Sequence, residues 1–462
     1  MSENPPNILF IHSDQHRFDC LELPEHGGHP LLRTPNLARL AAEGVNFDHA
    51  FCPVPVCVPS RNSLIHGLWP TRHGVIANWG TEAPFPDTSR LPTFTWALRD
   101  GGYRLAHVGK WQVHPQKSAA DYGFDLAISD REYDRWRAAQ GLPPQPHSNH
   151  WFGQVDPGVS PAQTRIGWGA DRVIDLLRSG ARPFFIQWDL REPHLPNIVP
   201  EPYCSLYPPE QIPPWPSFPD PLIGKPYIQA QQRRTWQIDG WTWAEWAPIV
   251  SRYLGCISLI DAQIGRLLDT LDDLDLTSNT LVVYSTDHGD LCGAHGMIDK
   301  HYVMYDDVVR VPLIMRWPER IAAQSRCDAF ISHAIDLAYT FCRVAGVHIP
   351  EMFQGQDLLA LYRGEIEARK DIFAVYYGNQ FGLYSQRMLR DRRWKYVWNA
   401  VAEDELYDLA DDPGELHNRA TDSTCAETLA RMRRRLVTWM EQVGDPLLNV
   451  WTRKQLLEGL SV

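Results

Sequence analysis

The chain has 462 residues, 44% of them hydrophobic and 22% charged, and a formal net charge of −12. This composition is typical of a globular protein, for which the length suggests about two to four domains, and the acidic balance argues against nucleic acid or an anionic membrane as a partner. No apolar stretch is long enough for a membrane helix, no basic leader opens the chain, and the nine cysteines are thinly spread. We expect a cytoplasmic protein with reduced thiols and no membrane partner. The sequence is compatible with either a monomer or a homo-oligomer.

Four short apolar runs, each followed by polar residues, are the clearest pattern in the sequence. In chain order they are Asn7–His12, Tyr103–Val108, Pro183–Leu190 and Thr280–Ser285. Runs of this length are typical of buried parallel strands. Between them lie helical patterns at Thr34–Gly44, Gly169–Gly180 and Ala247–Leu271. Strands that alternate with helices predict an α/β fold with a large, mostly parallel sheet, which binds ligands beyond the carboxyl ends of its strands.

Two later stretches differ from this pattern. The proline-rich stretch Pro193–Pro226 is too long for an ordinary connection, so we expect a wall or lid over the carboxyl edge of the sheet. After about Gly364, short strand patterns predict a small antiparallel sheet, closed by a helix at Thr424–Gln442. These strand patterns are Asp371–Tyr377, Gly382–Leu389, Trp394–Asn399 and Glu405–Leu409. We therefore expect two domains, a catalytic one at 1–364 and a smaller α+β one at 365–462.

Two pairs of polar residues follow core strands and suggest a metal site. Asp14 and Gln15 follow the first run, and Asp287 and His288 follow the fourth. A lone aspartate at such a position is more often a cap or turn residue, but two acids with an amide and an imidazole favour a shared cation. Oxygen ligands indicate Ca²⁺, Mg²⁺ or Mn²⁺ rather than zinc, and a histidine ligand is also compatible with Mn²⁺.

Cys57 stands where a helix is expected to begin. Pro59 suits the first helical turn, and Asn62–His66 can extend it. Free N–H groups and the helix dipole at this end favour an anion. From the residues alone, the thiol could be a nucleophile, a metal ligand, a target of modification or a structural residue.

Basic side chains near the same strand ends complete an anion-binding set. Lys110 directly follows the second run, and His194 follows the third. With Arg61 and Lys300 they would surround Cys57 with positive charge and a general acid. Each of these residues alone would more often be a surface or turn residue.

The segment Cys57–Arg61 reads CVPSR and resembles the sulfatase signature Cys-x-Pro-Ser-Arg, in which the cysteine is oxidised to formylglycine. Four fixed residues seldom match by chance in a chain of this length. Other segments similar to that family occur in its order over nearly the whole chain, including VGKW, EPHLP, STDHGD, GAHGMIDK and ELYDLADDPGELHN. The resemblance implies the alkaline-phosphatase-like α/β fold with a smaller C-terminal domain, and a formylglycine made by a transient formylglycine-generating enzyme.

The resemblance also implies roles for the candidate residues. One divalent cation would be held by Asp14, Gln15, Asp287 and His288. The catalytic set would be Cys57 as formylglycine, Arg61, Lys110, Gln112, His194 and Lys300. Among these, Lys110 and Lys300 would bind sulfate oxygens, and His194, with Lys300, would protonate the departing alcohol. Asn78 would contact the esterified group.

One position departs from the pattern of the family. Sulfatases commonly show Gly-Lys-Trp-His, whereas this chain has Gln112 after Trp111. The missing histidine is the candidate base for release of sulfate. Either His114 replaces it or Gln112 only orients the diol.

The implied activity is hydrolysis of a small-molecule sulfate ester, with an aryl, alkyl or sugar group. One alternative is a phosphonate or phosphate monoester (or diester) hydrolase on the same scaffold, although such relatives tend to lack a lysine at the position of Lys110. Another is an unmodified protein that binds anions or partners without catalysis. Four tryptophans at 236, 241, 243 and 246 are more typical of packing than of a pocket for a ring or a quaternary ammonium group.

Overall fold

The computed structural model describes residues 5–23, 28–79, 85–146, 151–378 and 384–459. The strands are β1 (Asn7–Asp14), β2 (Val45–Phe51), β3 (Arg104–Gly109), β4 (Leu126–Ser129), β5 (Gln154–Val155), β6 (Phe184–Pro193), β7 (Ile198–Val199), β8 (Thr280–Thr286), β9 (Leu313–Arg316), β10 (Ser325–Ser332), β11 (Ile372–Tyr376), β12 (Gln386–Arg390), β13 (Trp394–Asn399) and β14 (Glu405–Asp408). The helices are α1 (Pro35–Ala42), α2 (Cys57–His66), α3 (Pro70–His73), α4 (Phe94–Asp100), α5 (Arg131–Ala139), α6 (Arg165–Arg178), α7 (Tyr227–Thr235), α8 (Trp243–Asp273), α9 (Asp306–Val309), α10 (His333–Ala345), α11 (Leu358–Tyr362), α12 (Ala426–Gln442) and α13 (Val450–Glu458).

The large sheet has eight strands in the order β10–β2–β9–β8–β1–β6–β3–β4. The four apolar runs are β1, β3, β6 and β8, and they pair in parallel as the neighbours β8–β1–β6–β3. Only β9 runs antiparallel to the strands beside it in this sheet, β2 and β8. The predicted mostly parallel sheet is therefore confirmed.

Helices cover both faces of this sheet, which explains the nearly continuous apolar runs. In β1, Ile8 and Phe10 belong to one buried cluster with residues of α2, α4 and α10. Leu9 and Ile11 belong to another cluster with residues of α1, α6 and α8. Successive side chains of a strand point to opposite faces, so a strand buried on both faces needs apolar residues at both.

The predicted helices are present, and two of them start earlier than expected. The helix expected to start at Gly169 starts at Arg165, because the side chain of Thr164 accepts a hydrogen bond from the backbone of Gly167 and caps it there. The longest helix, α8, has a capping box between Thr242 and Glu245 and therefore also starts earlier than expected.

The C-terminal region has the predicted four-stranded antiparallel sheet, β11–β12–β13–β14, and the helix α12. The first two residues of the strand pattern at Gly382–Leu389 lie outside the described residues. Apolar residues of this sheet and of the large sheet belong to one buried cluster. The division of the chain at residue 364 therefore stays a prediction.

The proline-rich stretch is anchored as a wall beside the large sheet. The Nε1 of Trp215 donates to the carbonyl oxygen of Cys292 over 2.8 Å, and the hydroxyls of Tyr207 and Ser258 are 2.6 Å apart. These buried contacts fix the stretch against α8 and the segment after β8, which favours a wall over a lid.

The carboxyl ends of the four neighbouring parallel strands meet at one edge, as predicted. Gly109, at the end of β3, allows a close approach between two of them. Its φ is +109°, and a Cβ atom there would lie 2.0 Å from the carbonyl oxygen of Asp189 on β6. Only glycine fits this contact, which brings Lys110 to the strand ends.

Two further features concern the setting of the protein. All nine cysteines are free thiols. In the parts of the chain that the structure describes, no helix combines the length and apolar character needed to span a membrane. The cytoplasmic location stays a prediction.

Candidate active site

Cys57 is the first residue of α2, and every residue of this helix is buried. Val56 before it is extended and Gly67 after it is left-handed, so the helix has sharp ends. The hydroxyl of Ser60 donates to the carbonyl oxygen of Asp287 over 2.8 Å and fixes the first turn against the end of β8. The predicted helix start near the cysteine is confirmed.

Four buried side chains form a cluster with the spacing of metal ligands. Their ligand atoms lie within 4.8 Å of one another and belong to Asp14, Cys57, Asp287 and His288. The Sγ of Cys57 is 3.2 Å from the Nε2 of His288 and 4.0 Å from the Oδ1 of Asp14. Burial lowers the pKa of His288, which keeps the imidazole neutral and able to coordinate. Two carboxylates and an imidazole fit a divalent cation of the predicted kind.

Lys110 extends from the end of β3 into this cluster. Its Nζ donates to the Oδ2 of Asp14 over 2.5 Å. Burial acts to raise the pKa of Asp14, but the positive charges around it, Lys110 foremost, outweigh burial and hold the pKa well below its usual range. Asp14 is therefore ionised, as a metal ligand must be.

The side chain of Gln15 is held on the other side of the cluster. Its Oε1 accepts from the Nζ of Lys300 over 2.9 Å, and its Nε2 donates to Asp290 and Asp299 over 2.7 and 2.9 Å. Its backbone N–H donates to the Oδ1 of Asp287 over 3.2 Å. In this arrangement Gln15 orients Lys300, and its role as a metal ligand stays a prediction.

Lys300 and His194 form a hydrogen-bonded pair. The Nζ of Lys300 is 3.0 Å from the Nε2 of His194, whose Nδ1 lies 2.6 Å from the carbonyl oxygen of Leu195. Because an ammonium group only donates, the Nε2 accepts and the imidazole carries its proton on Nδ1. Burial acts to lower the pKa of Lys300, but neighbouring acids, Asp299 foremost, raise it well above its usual value.

Arg61 is surrounded by three carboxylates. It donates to Asp189 over 2.6 Å, to Asp14 over 2.9 Å and to Asp287 over 3.1 Å. Burial acts to lower the pKa of Arg61, but these three acids raise it well above its usual value. The guanidinium group therefore links the two metal-site aspartates, in addition to any contact with the group at Cys57.

Gln112 and His114, the two candidates for the place of the usual histidine, lie in different surroundings. Gln112 lines the same cavity as Lys110 and His194, and its buried Oε1 has no hydrogen-bond partner among the described residues. The Nδ1 of His114 accepts from two backbone N–H groups of its own turn, and His114 lines a separate cavity of about 270 Å³. Their positions therefore favour Gln112 over His114 as the residue in the place of the usual histidine.

Asn78 lies at the N-terminus of α2. Its Oδ1 accepts from the backbone N–H of Val58 over 3.0 Å. It thus caps the helix that carries Cys57, although it is distant in the sequence. Its contact with a substrate stays a prediction.

A cavity of about 840 Å³ adjoins this cluster. Beyond Lys110, Gln112 and His194 it is lined by both charged or polar side chains and apolar ones, among them Trp151, which is 57% exposed. Arg165, on its wall, donates to Gln145 over 2.7 Å. Its volume lies in the upper range of ligand pockets and can hold more than a single ring.

Comparison with known proteins identifies the family. The sulfatase family model matches residues 6–347, and the model of the C-terminal part of N-sulphoglucosamine sulphohydrolase matches residues 293–442. The chain belongs to the sulfatase family. The predictions of this family and of a sulfuric ester hydrolase are thereby confirmed.

Relatives of this sulfatase match it over most of their length. The uncharacterised sulfatase YidJ of Escherichia coli (strain K12) is 30% identical over 96% of this chain and 88% of its own. An arylsulfatase of Clostridium perfringens is 26% identical over 94% of each chain. The crystal structure of a phosphonate monoester hydrolase of Agrobacterium radiobacter has a TM-score of 0.81 and 25% identity, over 95% of this chain and 96% of that chain. The predicted alkaline-phosphatase-like fold is confirmed.

Sequence reasoning missed the polar residues that lie behind the site of this sulfatase. Asp189 of β6, His12 of β1 and His107 of β3 are buried and joined by hydrogen bonds. Each stands in a run that was interpreted as an apolar strand. A polar residue inside such a run must have a partner, so its presence in three neighbouring strands was a usable signal.

The four tryptophans of this sulfatase mainly pack against buried apolar residues and one another. Trp246 is fully buried in a small hydrophobic cluster, and the tryptophans at 236, 241 and 243 pack against it. Trp236 also contacts Trp151 edge to face, with ring centres 6.1 Å apart. The aromatic side chain at the cavity is thus Trp151, which sequence reasoning did not single out.

Proposed function

We propose that the protein hydrolyses a small-molecule sulfate monoester to an alcohol and sulfate, with formylglycine at Cys57 as the nucleophile and one divalent cation. The observation that carries this proposal is the position of Cys57, whose Sγ lies among the ligand atoms of the buried metal-type cluster. Two lysines lie beside this cluster, Lys110 bonded to Asp14 and Lys300 bonded to Gln15 and 3.0 Å from His194. Such a site binds an anion and stabilises the charge that develops on it.

Formation of the aldehyde is an oxidation of Cys57. The Cβ–S bond breaks and sulfur leaves as hydrogen sulfide, a C=O bond forms to an oxygen atom of water, and two electrons pass to an oxidant such as dioxygen. The transient partner for this step would be a formylglycine-generating enzyme. Cys57 is only 1% exposed in the folded chain, so that enzyme would act before folding is complete.

Turnover would begin with addition of water to the aldehyde, which gives a geminal diol. One diol hydroxyl gives up its proton to water as its oxygen bonds to the sulfur of the substrate, the bond from sulfur to the leaving oxygen breaks, and that oxygen takes a proton. The second hydroxyl then loses its proton to water, the carbon–oxygen bond to the sulfate group breaks, the C=O bond forms again, and sulfate is released. A serine has no second hydroxyl for this last step, which explains the need for a modified cysteine.

Side chains beside the cluster would position the substrate and supply the proton to the leaving oxygen. Lys110 and Lys300 would bind sulfate oxygens as negative charge builds up. His194 and Lys300, whose side-chain nitrogens are 3.0 Å apart, would together supply the proton to the leaving oxygen. The unpartnered Oε1 of Gln112 would accept from the diol and orient it.

The cation would be held by Asp14, Asp287 and His288, with Gln15 as a further ligand. Carboxylate oxygens with one imidazole suit Ca²⁺ or Mn²⁺, and Mg²⁺ also fits. Bound there, it would polarise a sulfate oxygen and make the diol more acidic.

The organic part of the substrate would occupy the cavity of about 840 Å³. An exposed indole at Trp151 next to the polar Gln145 and Arg165 offers one flat apolar surface among hydrogen-bonding groups. This mixed lining suits a ring that carries hydroxyl groups, because such a ring offers an apolar face to the indole and polar edges to the hydrogen-bonding side chains. Among aryl, alkyl and sugar sulfates we therefore favour the sugar sulfates.

The alternative is a phosphonate or phosphate monoester, or a diester, which the same scaffold serves in the Agrobacterium hydrolase. Matched sulfate, phosphate and phosphonate esters of one nitrophenol would decide between them. We expect a higher kcat/KM for the sulfate ester than for the phosphate monoester, because Lys110 and Lys300 suit a singly charged group without a further cation. We also expect a higher kcat/KM than for the phosphonate ester, which is likewise singly charged, because the chain belongs to the sulfatase family. A clear preference for the phosphonate ester would overturn the sulfatase proposal and promote the alternative.

Replacement of Lys300 or His194 by alanine is expected to affect poor leaving groups most. A general acid contributes about a hundredfold or more when the leaving oxygen needs a proton, and little when it is already acidic. We expect kcat/KM to fall about a hundredfold for a sugar sulfate and about tenfold or less for nitrophenyl sulfate. Equal losses for both substrates would remove this pair as the acid.

Lys117→Ala is a matched control for these variants. Lys117 lines the neighbouring cavity that also holds His114, outside the site. Its removal should leave the ratio of kcat/KM for the sugar sulfate to kcat/KM for nitrophenyl sulfate unchanged. A changed ratio in the Lys300 or His194 variant would then come from loss of the acid and not from loss of a positive charge.

A further inference from the structure

Arg61 contacts the outer oxygen of each metal-site aspartate. Its Nη2 donates to the Oδ2 of Asp14 over 2.9 Å, and its Nε donates to the Oδ2 of Asp287 over 3.1 Å. The Oδ1 of Asp14 is 4.0 Å from the Sγ of Cys57, and the Oδ1 of Asp287 is 3.6 Å from the Nε2 of His288. The guanidinium group therefore leaves one oxygen of each acid facing the other ligand atoms.

A third acid, which is not among the candidate ligands, holds Arg61 from behind. The Nη1 of Arg61 donates to the Oδ1 of Asp189 over 2.6 Å. Asp189 is 2% exposed and also contacts the Nδ1 of His12 at 2.7 Å, the Nε2 of His107 at 2.8 Å and the Nε2 of Gln187 at 2.7 Å. These partners come from β1, β3 and β6, so three adjacent strands fix its carboxylate.

We propose that Asp189 is a positioning residue for the divalent cation and acts through Arg61, an inference that rests on the proposed function. A guanidinium group is rigid and planar, so fixing Nη1 also fixes the directions of Nε and Nη2. Asp189 thereby sets how Asp14 and Asp287 present their Oδ1 atoms.

Asp189 also compensates the charge of Arg61. Without it, a buried guanidinium would be paired only with the two acids that the cation needs, and its charge would repel a cation bound to them. Residues that support metal ligands in this way typically change metal affinity about tenfold to a hundredfold.

The test is Asp189→Asn in the full chain stripped of metal. Titration calorimetry with Mn²⁺ is expected to show affinity lower by about tenfold to a hundredfold than in the unchanged protein. Excess Mn²⁺ should restore turnover of nitrophenyl sulfate, because the ligands themselves remain. A purely structural role would not give this rescue.

Asp445→Asn is the matched control. Asp445 and Arg387 form another buried pair with two hydrogen bonds, both side chains being 0% exposed, in the C-terminal region. The control should lose thermal stability as Asp189→Asn does and keep the Mn²⁺ affinity of the unchanged protein. Loss of Mn²⁺ affinity in the control as well would overturn the inference.

A double-variant cycle tests the route through Arg61. If Asp189 acts through Arg61, adding Asp189→Asn to Arg61→Gln should change Mn²⁺ affinity by less than about twofold. Losses that multiply, or unchanged affinity in Asp189→Asn alone, would overturn the inference. Absence of Mn²⁺ and Ca²⁺ binding in the unchanged protein would instead contradict the proposed function.

Gln187→Ala takes the place of Asp189→Asn if that variant does not fold. It removes one donor to Asp189 and keeps all charges, so it should fold more readily. Mn²⁺ affinity is expected to fall severalfold because the carboxylate loses one of its fixed contacts. Unchanged affinity in a folded Gln187→Ala protein would then overturn the inference.

Discussion

Replacement of Cys57 by serine is expected to give a protein that reacts once and then stops. The serine hydroxyl can still attack sulfur and release the alcohol, but the resulting sulfate ester has no second hydroxyl on the same carbon to expel sulfate. Steady turnover should fall on the order of 10⁴-fold or more. Rapid-mixing assays with nitrophenyl sulfate should show at most one equivalent of nitrophenol, and mass spectrometry should find sulfate on the peptide with position 57.

The unchanged protein and a second cysteine variant provide the comparison. Cys52, five residues before Cys57, is also buried, and its Sγ lies 3.9 Å from the carbonyl oxygen of Val308. Cys52→Ser should keep full turnover. In the unchanged protein from a host that can modify it, the peptide with Cys57 should contain an aldehyde in place of the thiol, and only intact thiol with full activity would contradict the mechanism.

The arrangement of strands and their polar ends could be predicted because it depends on local pattern. Apolar runs buried on both faces identified β1, β3, β6 and β8, and parallel pairing places their carboxyl ends at one edge. The residues directly after those strands, among them Asp287 and Lys110, therefore had to lie near one another. The start of α2 could be predicted for the same reason, since Pro59 suits the first turn of a helix.

The supporting contacts of the site could not be predicted from local pattern. Asp189 reaches Arg61, 128 positions away in the sequence, and Gln15 reaches Lys300, 285 positions away. Both contacts depend on side-chain directions that follow only from the assembled sheet. The same holds for Trp151, because the cavity that it lines is formed by segments that are separate in the sequence.

Replacement of Asp287 by asparagine is expected to remove the cation and turnover together. Asparagine keeps the shape of the side chain and can still accept from Arg61, but it lacks the charge that a divalent ion requires. Since residues that only support a ligand already change affinity up to about a hundredfold, loss of a ligand should cost more than that, and turnover should fall about 10³-fold. Metal content measured by elemental mass spectrometry should fall from about one ion per chain to near zero.

The fold should survive this change, and the control shows whether it does. Asparagine in place of Asp287 leaves Arg61 paired with Asp14 and Asp189, so the buried guanidinium stays compensated. Asp336→Asn is the control and changes another buried acid, outside the cluster. Asp336 accepts two hydrogen bonds from Arg369, of 2.6 and 2.8 Å, and the variant should keep both metal and turnover. Equal unfolding temperatures of Asp287→Asn and the control would show that the fold is intact. Full metal content in such a folded Asp287→Asn protein would mean that the ligands are wrongly assigned.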